Sequence, residues 1–430
     1  MKRVAFYTLG CRVNQYETEA MAEIFEKNGY EVVNFEDYSD VYVINTCTVT
    51  SIGDKKSRQM IRRAKKNNKD AIVIAVGCYA QVAPDEVSKI DDVDIIIGTD
   101  NKSKILDYIN EFNQSKKKLN KVKNIMTVRQ FEEMEIDHYQ DKTRAFLKIQ
   151  DGCDRFCSYC LIPYARGPVR SKKFETIIEE VNKLVDNGYK EVILSGIHVA
   201  SYGKDIGNIT LVDVIEKLNE VNGLERIRIG SVEPSFFNID NIKRLANCNK
   251  LCEHFHLSLQ SGCNETLKRM NRRYTTDEYK EAVLNLRRHF NYVSITTDVI
   301  VGFPGETIEE FNKTYNFLEE IKLNKLHVFK YSPRKGTKAA EFKETVDNEE
   351  KDRRSKLLIE LSDKYEKEFN KKLIGKIVDV LVEEKKEDLY YGYTRNYVKV
   401  EIKSKNNIEG EIINTKINDM NNDILVGEMV

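Results

Sequence analysis

The stretch DGCDRFCSYC, residues 151–160, places three thiols, Cys153, Cys157 and Cys160, at the spacing C-x3-C-x2-C. No fourth Cys or His follows nearby. A closed structural zinc site takes four protein ligands. Three close thiolates instead suit a [4Fe-4S] cluster that keeps one iron open for a substrate or cofactor. What surrounds the three cysteines decides between these readings.

From about 144 to 340 strand-like and helix-like patterns alternate six times. The strand segments are AFLKIQ, EVILSG, RIRIGSV, HFHLSLQ, VSITTDVIV and LHVFKYS, separated by amphipathic stretches such as FETIIEEVNKLVDNG. Such βα repeats build a parallel barrel. Six units fall short of the eight that close one, so a partial barrel with a lateral mouth is expected.

Upstream, residues 1 to about 125 hold the apolar runs VAFYTLG, DVYVINT and AIVIAVG, read as buried parallel strands of an α/β domain. A cysteine follows each run closely: Cys11, Cys47 and Cys78. Ligands gather at the carboxyl ends of the strands in an open parallel sheet. Three distant cysteines at the same topological position are therefore expected to meet. A lysine-rich stretch, QSKKKLNKVK, reads as a linker. Residues 347–373 read as a charged helix, and the remainder as a small antiparallel β-barrel of a kind used for RNA binding.

The 430 residues carry 69 Lys and Arg against 69 Asp and Glu, so contact with nucleic acid has to come from local patches rather than a global positive field. No apolar run approaches the roughly 18 residues of a membrane helix. Lys2, Arg3 and the short run after them stop at Arg12, too soon for a secretory signal. A cytoplasmic protein with nine free, metal-bound or catalytic cysteines is expected.

The C-x3-C-x2-C motif after the first strand of a partial βα barrel resembles the radical S-adenosylmethionine (SAM) superfamily. The resemblance implies that SAM chelates the open iron and is cleaved to a 5′-deoxyadenosyl radical. It also implies SAM contacts on successive strand ends: Ser195 and Gly196 in LSGIHVASYG, Glu233 in SVEPS for the ribose, and Asp298 and Gly302 in DVIVGFPGET near adenine. Arg166 and Arg170 in PYARGPVR read either as charge partners for carboxylate or phosphate, or as surface residues.

The N-terminal motifs TLGCRVNQYETE, NTCTVT and VGCYAQ, with LQSGCNETLKRMNRRYT and YSPRKGT in the barrel, are similar to the methylthiotransferase family. That family is built from an N-terminal methylthiotransferase domain, a radical SAM domain and a C-terminal TRAM domain, here 1–125, 139–370 and 372–430. The resemblance implies a second [4Fe-4S] cluster on Cys11, Cys47 and Cys78 that delivers sulfur, two SAM per turnover, and an external electron donor. Asn14 and Asn45 lie beside the triad as possible donors to cluster sulfur.

TLGCRVNQYETE and DGCDRFCSYCLIPYARGPVRS look most like the MtaB-type branch. Its substrate is N6-threonylcarbamoyladenosine beside the tRNA anticodon, methylthiolated at C2. Isopentenyl-adenosine in tRNA and an aspartate of a ribosomal protein are the family's alternatives. A zinc-bearing, non-enzymatic RNA-binding protein is the alternative from another class.

Independent support for RNA comes from residues 55–69, KKSRQMIRRAKKNNK, with eight cations and no acid. Lys55, Lys56, Arg58, Arg62 and Arg63 are the phosphate-binding candidates there for an anticodon stem-loop. In the C-terminal section nine Lys and Arg stand against eleven Asp and Glu. RNA contact there is expected to be local, through Arg395 and Lys399 with Tyr390, Tyr391, Tyr393 and Tyr397 for stacking. Cys248 and Cys252 read as core thiols rather than a third metal site, His256 as a core residue, and Cys263 lies in LQSGC, similar to the family's pattern with no role assigned.

Overall fold

The computed structural model describes residues 1–134, 136 and 143–430. The expected start of the second section, near 139, lies outside the described residues. The chain begins with β1 (Lys2–Thr8), α1 (Arg12–Lys27), β2 (Tyr30–Val33), β3 (Val41–Thr46), α2 (Ser51–Asn67), β4 (Ile72–Gly77), α3 (Cys78–Val82), α4 (Pro84–Ser88), β5 (Ile95–Ile97), α5 (Ile105–Ser115) and β6 (Leu119–Asn120). The strands form one parallel sheet in the order β2-β1-β3-β4-β5-β6. Central β3 is buried along its whole length, which its near-continuous apolar run demands. The lysine-rich stretch is not simply a linker, because its Leu119 and Asn120 pair with β5 as the edge strand. Lysines suit such an edge by keeping other strands from adding to it.

The second section comprises β7 (Arg144–Lys148), β8 (Gln150–Asp151), α6 (Ile162–Arg166), β9 (Arg170–Ser171), α7 (Phe174–Asp186), β10 (Glu191–Ser195), α8 (Leu211–Asn219), β11 (Arg226–Ile229), α9 (Ile239–Ala246), β12 (His254–His256), α10 (Asn264–Arg269), α11 (Thr276–His289), β13 (Ser294–Val301), α12 (Ile308–Ile321), β14 (Lys325–Lys330) and α13 (Asn348–Lys371). The six parallel strands run β7-β10-β11 and β12-β13-β14. Single bridges, Ile227 to Leu251 and Val232 to Leu257, join the halves into the expected partial barrel. Helix starts follow local chemistry: Thr275 with Glu278, and Thr307 with Glu310, form reciprocal capping boxes. α1 serves two cores, with Met21 and Phe25 in the first-domain core and Tyr16 and Ala20 in the barrel core.

The chain ends with β15 (Ile377–Lys386), β16 (Leu389–Thr394), β17 (Lys399–Lys403), β18 (Ile412–Asn421) and β19 (Ile424–Met429), a closed TRAM-like barrel. It is not wholly antiparallel, since β17 and β19 pair in parallel. The barrel sits at the strand starts of the second domain, the end opposite the cysteine loop. There Arg228 donates to the Arg395 carbonyl at 3.0 Å, and Arg226 to the Tyr393 carbonyl at 3.0 Å. Glu191 holds this arginine cluster, 3.0 Å from Arg228 and 3.7 Å from Arg144.

This docking reassigns several residues. Arg395 is spent on the interface: its guanidinium pairs with Glu253 at 3.0 Å and donates to the carbonyls of Asn249 and Leu251 at 2.8 and 2.7 Å. Tyr393 and Tyr397 stack on each other, centroids 4.8 Å apart, with Arg144 about 5 Å from both rings. Tyr390 is in the barrel core. Lys399, 4.8 Å over Tyr391, remains on a cation–aromatic face that Lys386 shares at 5.6 Å. Arg395→Ala is expected to loosen the barrel by about 1.5–3 kcal/mol, the worth of a charged hydrogen-bond set. Faster hydrogen exchange in residues 377–429, with the first domain unaffected, is the signature; unchanged exchange would refute this role.

Candidate functional site

β1, β3 and β4 are neighbours in the sheet, so the residues that follow them emerge side by side. Cys11 caps the start of α1, Cys47 follows β3 directly, and Cys78 opens α3. Two glycines make this approach possible. Gly10 has φ +103°, and a Cβ there would lie 2.9 Å from Cys47 Sγ; Gly77 has φ +99°, and its Cβ would lie 2.8 Å from the Thr46 carbonyl. Gly77→Ala is expected to cost about 1–3 kcal/mol in backbone strain and to displace Cys78. Metal loss from this triad with the other retained, read by iron content after anaerobic reconstitution, tests this.

Two thiols of the first triad are raised. Burial pushes the Cys47 thiol up, and Cys11 adds to it. Burial raises Cys78 to about 11 despite Arg166, with Cys11 and Cys47 contributing. In the second loop burial raises Cys153 to about 11 and Cys160 to about 12, and Cys157 acts on both. Buried thiols of this kind form ligands only when a metal takes the proton's place.

Donors nevertheless point at the sulfurs. Arg166 Nε lies 3.3 Å from Cys78 Sγ, and the Val49 N–H 3.5 Å from Cys47 Sγ. Arg272 Nη1 lies 3.1 Å from Cys157 Sγ, and the Ile162 N–H 3.4 Å from Cys160 Sγ. Such donors stabilise anionic sulfur and tune a bound cluster. Among the described residues no three His, Cys, Asp or Glu converge as ligands of a single ion. The two triads, each supplying three thiols with sulfur-directed donors, fit clusters that take one thiolate per iron.

The asparagines do not provide these donors. Asn14 Nδ2 donates to the Leu9 carbonyl at 2.7 Å, and Asn45 Nδ2 to the Asn14 carbonyl at 2.9 Å. Between the second-loop cysteines, Tyr159 packs in a core with Phe303, whereas Phe156 is partly exposed.

The expected SAM residues are spread along the strand ends. Ser195 is buried at the end of β10, and a Cβ on Gly196 would come within 2.8 Å of Gln150 Oε1. Gln150 was not foreseen from the sequence. Its amide donates to the Gly152 carbonyl at 2.8 Å and accepts from the His198 N–H at 2.8 Å, tying the cysteine loop to the β10 exit. Glu233 is held by Arg155 at 2.7 Å, Arg272 at 3.2 Å and His198 at 3.3 Å. Burial pushes its carboxyl up, but the His198 hydrogen bond and these charges outweigh that and bring it down to about 2. It links through Arg272 to Cys157. Asp298 faces His256 Nε2 at 3.3 Å, so His256 lines the half-buried strand face rather than the core. The Gly302 N–H donates to Glu306 at 2.6 Å, and the Lys351 stem fills the space beside its Cα.

Arg166 and Arg170 are buried, at 0% and 2% exposure, not surface residues. With Lys102 and Lys148 they surround Glu17 and Asp151 between the first two domains. This cluster was not legible locally because its members lie far apart in sequence.

Residues adjoining both triads line one cleft of about 1130 Å³, with Thr48, Tyr79, Leu161, Tyr164, Arg334 and Lys335 in its wall and the cysteines themselves outside it. Thr48, Tyr79 and Leu161 directly follow Cys47, Cys78 and Cys160. Arg334, in YSPRKGT, bridges the domains through Thr48 at 2.8 Å and Asp54 at 2.6 Å. The cationic face on α2 starts beside this cleft. Arg58 donates to the Tyr79 hydroxyl at 2.9 Å, and Arg63 pairs with Glu36. Lys55, Lys56 and Arg62 carry no ion pair among the described residues.

Residues 147–318 match the Radical SAM superfamily, and residues 3–98 match Uncharacterized protein family UPF0004. The threonylcarbamoyladenosine tRNA methylthiotransferase MtaB of Bacillus subtilis (strain 168) is 45% identical, over 97% of this chain and 94% of the relative. This chain belongs to the radical SAM methylthiotransferase family. A tRNA-2-methylthio-N(6)-dimethylallyladenosine synthase of Clostridium botulinum is 36% identical, over 98% of this chain and 96% of that one. The radical SAM methyltransferase TsrM from Kitasatospora setae shares the fold, with TM-score 0.57 at 15% identity, covering 78% of this chain and 77% of that one. As a radical SAM methylthiotransferase, the chain is an enzyme whose family implies a [4Fe-4S] cluster and SAM. No helix among the described residues is long and apolar enough to cross a membrane.

Proposed function

We propose that this enzyme inserts a methylthio group at C2 of N6-threonylcarbamoyladenosine beside the anticodon of tRNA. The observation that carries the proposal is that the residues directly after Cys47, Cys78 and Cys160, from triads on separate βα sheets, line one cleft. Its volume slightly exceeds the roughly 300–1,000 Å³ typical of ligand pockets, which suits a nucleoside held with part of its RNA strand. When bound, a cluster on Cys153, Cys157 and Cys160 would cleave SAM to a radical, and one on Cys11, Cys47 and Cys78 would supply sulfur.

The chain's own residues supply positioning and electrostatics. Arg272 and Arg166 each donate to one sulfur of a triad. Gln150 fixes the cysteine loop against β10, beside Ser195 and Gly196, and Glu233 is kept ionised there as a hydroxyl acceptor. Asp298 and Gly302 complete the SAM-binding proposal on β13 and after it. The cleft wall carries Lys89, Lys123, Arg334 and Lys335 against Asp54, Asp85 and Glu86, with Arg334 paired to Asp54; Lys335 is the cation proposed to meet the threonyl carboxylate. Lys55, Lys56 and Arg62, with Arg58 and Arg63 behind them, grip the anticodon stem-loop, and Lys399 offers a weaker contact on the C-terminal barrel. The divisions 1–125, 139–370 and 372–430 serve as sulfur-delivery, radical and RNA-positioning domains. The protein acts in the cytoplasm and draws electrons from a separate donor.

Mass spectrometry of nucleosides from tRNA of a strain lacking this protein tests the proposal. Loss of the 2-methylthio form of threonylcarbamoyladenosine, with its precursor accumulating, is expected. Loss of the dimethylallyl analogue instead would reassign the substrate, and no change would refute the tRNA reading. Alanine at Lys55, Lys56 and Arg62 is expected to weaken tRNA binding and to lower the salt slope by about 0.9 for each phosphate contact removed. An unchanged slope would exclude α2 from the RNA contact.

A further inference from the structure

Arg166 closes α6, the short helix that begins two residues after Cys160, yet its guanidinium is directed wholly at the other triad's domain and the network between them. Nε donates to Cys78 Sγ at 3.3 Å. Nη2 donates to Asn14 Oδ1 at 2.5 Å and Glu17 Oε2 at 3.1 Å. Nη1 reaches Glu17 Oε1 at 2.5 Å and Asp151 Oδ2 at 3.4 Å. Glu17 is in turn 2.7 Å from Lys148 and 3.3 Å from Lys102. One fully buried cation therefore connects the segment after one triad to a sulfur of the other.

The charge pattern matters as much as the contacts. Lys102, Lys148, Arg166 and Arg170 face Glu17 and Asp151, with Glu132 at the edge 3.9 Å from Lys102. Four cations against three carboxylates leave one positive charge for an anionic partner, and Cys78 is the sulfur in contact with the network. A positive donor to a ligand sulfur favours the more electron-rich state of the group that sulfur holds.

We propose that Arg166 is a positioning residue that couples the two triads, fixing Cys78 against the helix after Cys160 and raising the reduction potential of the group held by Cys11, Cys47 and Cys78. The proposal rests on that triad holding an iron–sulfur cluster. A triad that Arg166 only docked would keep its potential when nearby charge changed. One that Arg166 tunes responds with a sign: removing the cation lowers the potential, and neutralising Glu17 raises it.

The test uses the full chain with Cys153, Cys157 and Cys160 changed to alanine, so that one cluster alone reports. Arg166→Gln is expected to shift its midpoint potential negative, and Glu17→Gln to shift it positive, with iron content retained in both. Potentials unchanged in both variants at full iron content would overturn the inference, as would shifts of the same sign. If Arg166→Gln does not fold, the Glu17→Gln shift decides alone. A third reading needs no substitution in the network: in protein labelled with [15N]arginine, the paramagnetic cluster is expected to show hyperfine coupling to a guanidinium nitrogen, and its absence overturns the contact. Failure of the parent background to bind iron at all would instead refute the cluster assignment.

Discussion

Alanine at Cys11, Cys47 and Cys78 is expected to abolish methylthiolated product while SAM cleavage to 5′-deoxyadenosine continues. Alanine at Cys153, Cys157 and Cys160 is expected to abolish both. The asymmetry follows from where each triad sits. The second triad lies among the strand ends that carry Ser195, Gly196 and Glu233, whereas the first follows the strands of a separate sheet. Each variant should retain about half of the iron of the parent protein, because each triad supplies three thiols for its own cluster. Methylthio product from the first variant at the parent's rate would remove the sulfur-delivery role. 5′-Deoxyadenosine from the second would remove the radical role. Because the two sheets have separate strand contacts, neither set of substitutions is expected to unfold the other domain, and circular dichroism of the apoproteins checks this.

Glu17→Ala is expected to destabilise the protein by about 3–5 kcal/mol, the cost of stranding buried charges without their partner. Glu17 is fully buried and is the shared counter-ion of Lys102, Lys148 and Arg166. Glu17→Gln keeps its shape and is expected to cost less, though it too removes the charge. Thermal melting of the apoproteins measures both. The same carboxylate gives a pH dependence of known sign. Burial pushes Glu17 up, but the charges of Arg166, Lys102 and Lys148 outweigh that and hold it at about 2, below the roughly 4.3 of an unfolded glutamate. A lowered folded value means that the stabilisation is fully present above about pH 4.3 and is lost as pH falls toward 2. The parent protein should therefore lose stability across that window more steeply than Glu17→Gln. Parallel melting curves for the two would contradict the pairing.

The parts of this fold that were legible in the sequence are those carried by strong periodicity. The apolar runs ending near Cys11, Cys47 and Cys78, and the six strand segments of the barrel, are long enough to be read directly. β2, β5 and β6 were missed because YEVV, III and LN are too short or too polar to stand out. The linker reading of QSKKKLNKVK failed for a physical reason, since an edge strand tolerates lysines that a central strand would reject.

The site was legible in its cysteines and not in what surrounds them. A C-x3-C-x2-C spacing is local, but the partners of Arg166, at Asn14 and Glu17, are about 150 positions away. Arg395 and the tyrosines near it had the composition of an RNA surface. The same groups equally suit a domain interface, and Arg144 and Arg228 over the rings of Tyr393 and Tyr397 place those two there, while Tyr391 stays outside it.

The most direct test gives the reconstituted enzyme, with SAM and a reductant, a tRNA anticodon stem-loop whose N6-threonylcarbamoyladenosine carries deuterium at C2. Deuterium is expected in the 5′-deoxyadenosine released, with a methylthio group at the vacated carbon. Methylthio product formed without deuterium transfer, or no product from this stem-loop with both clusters intact, would contradict the proposed reaction.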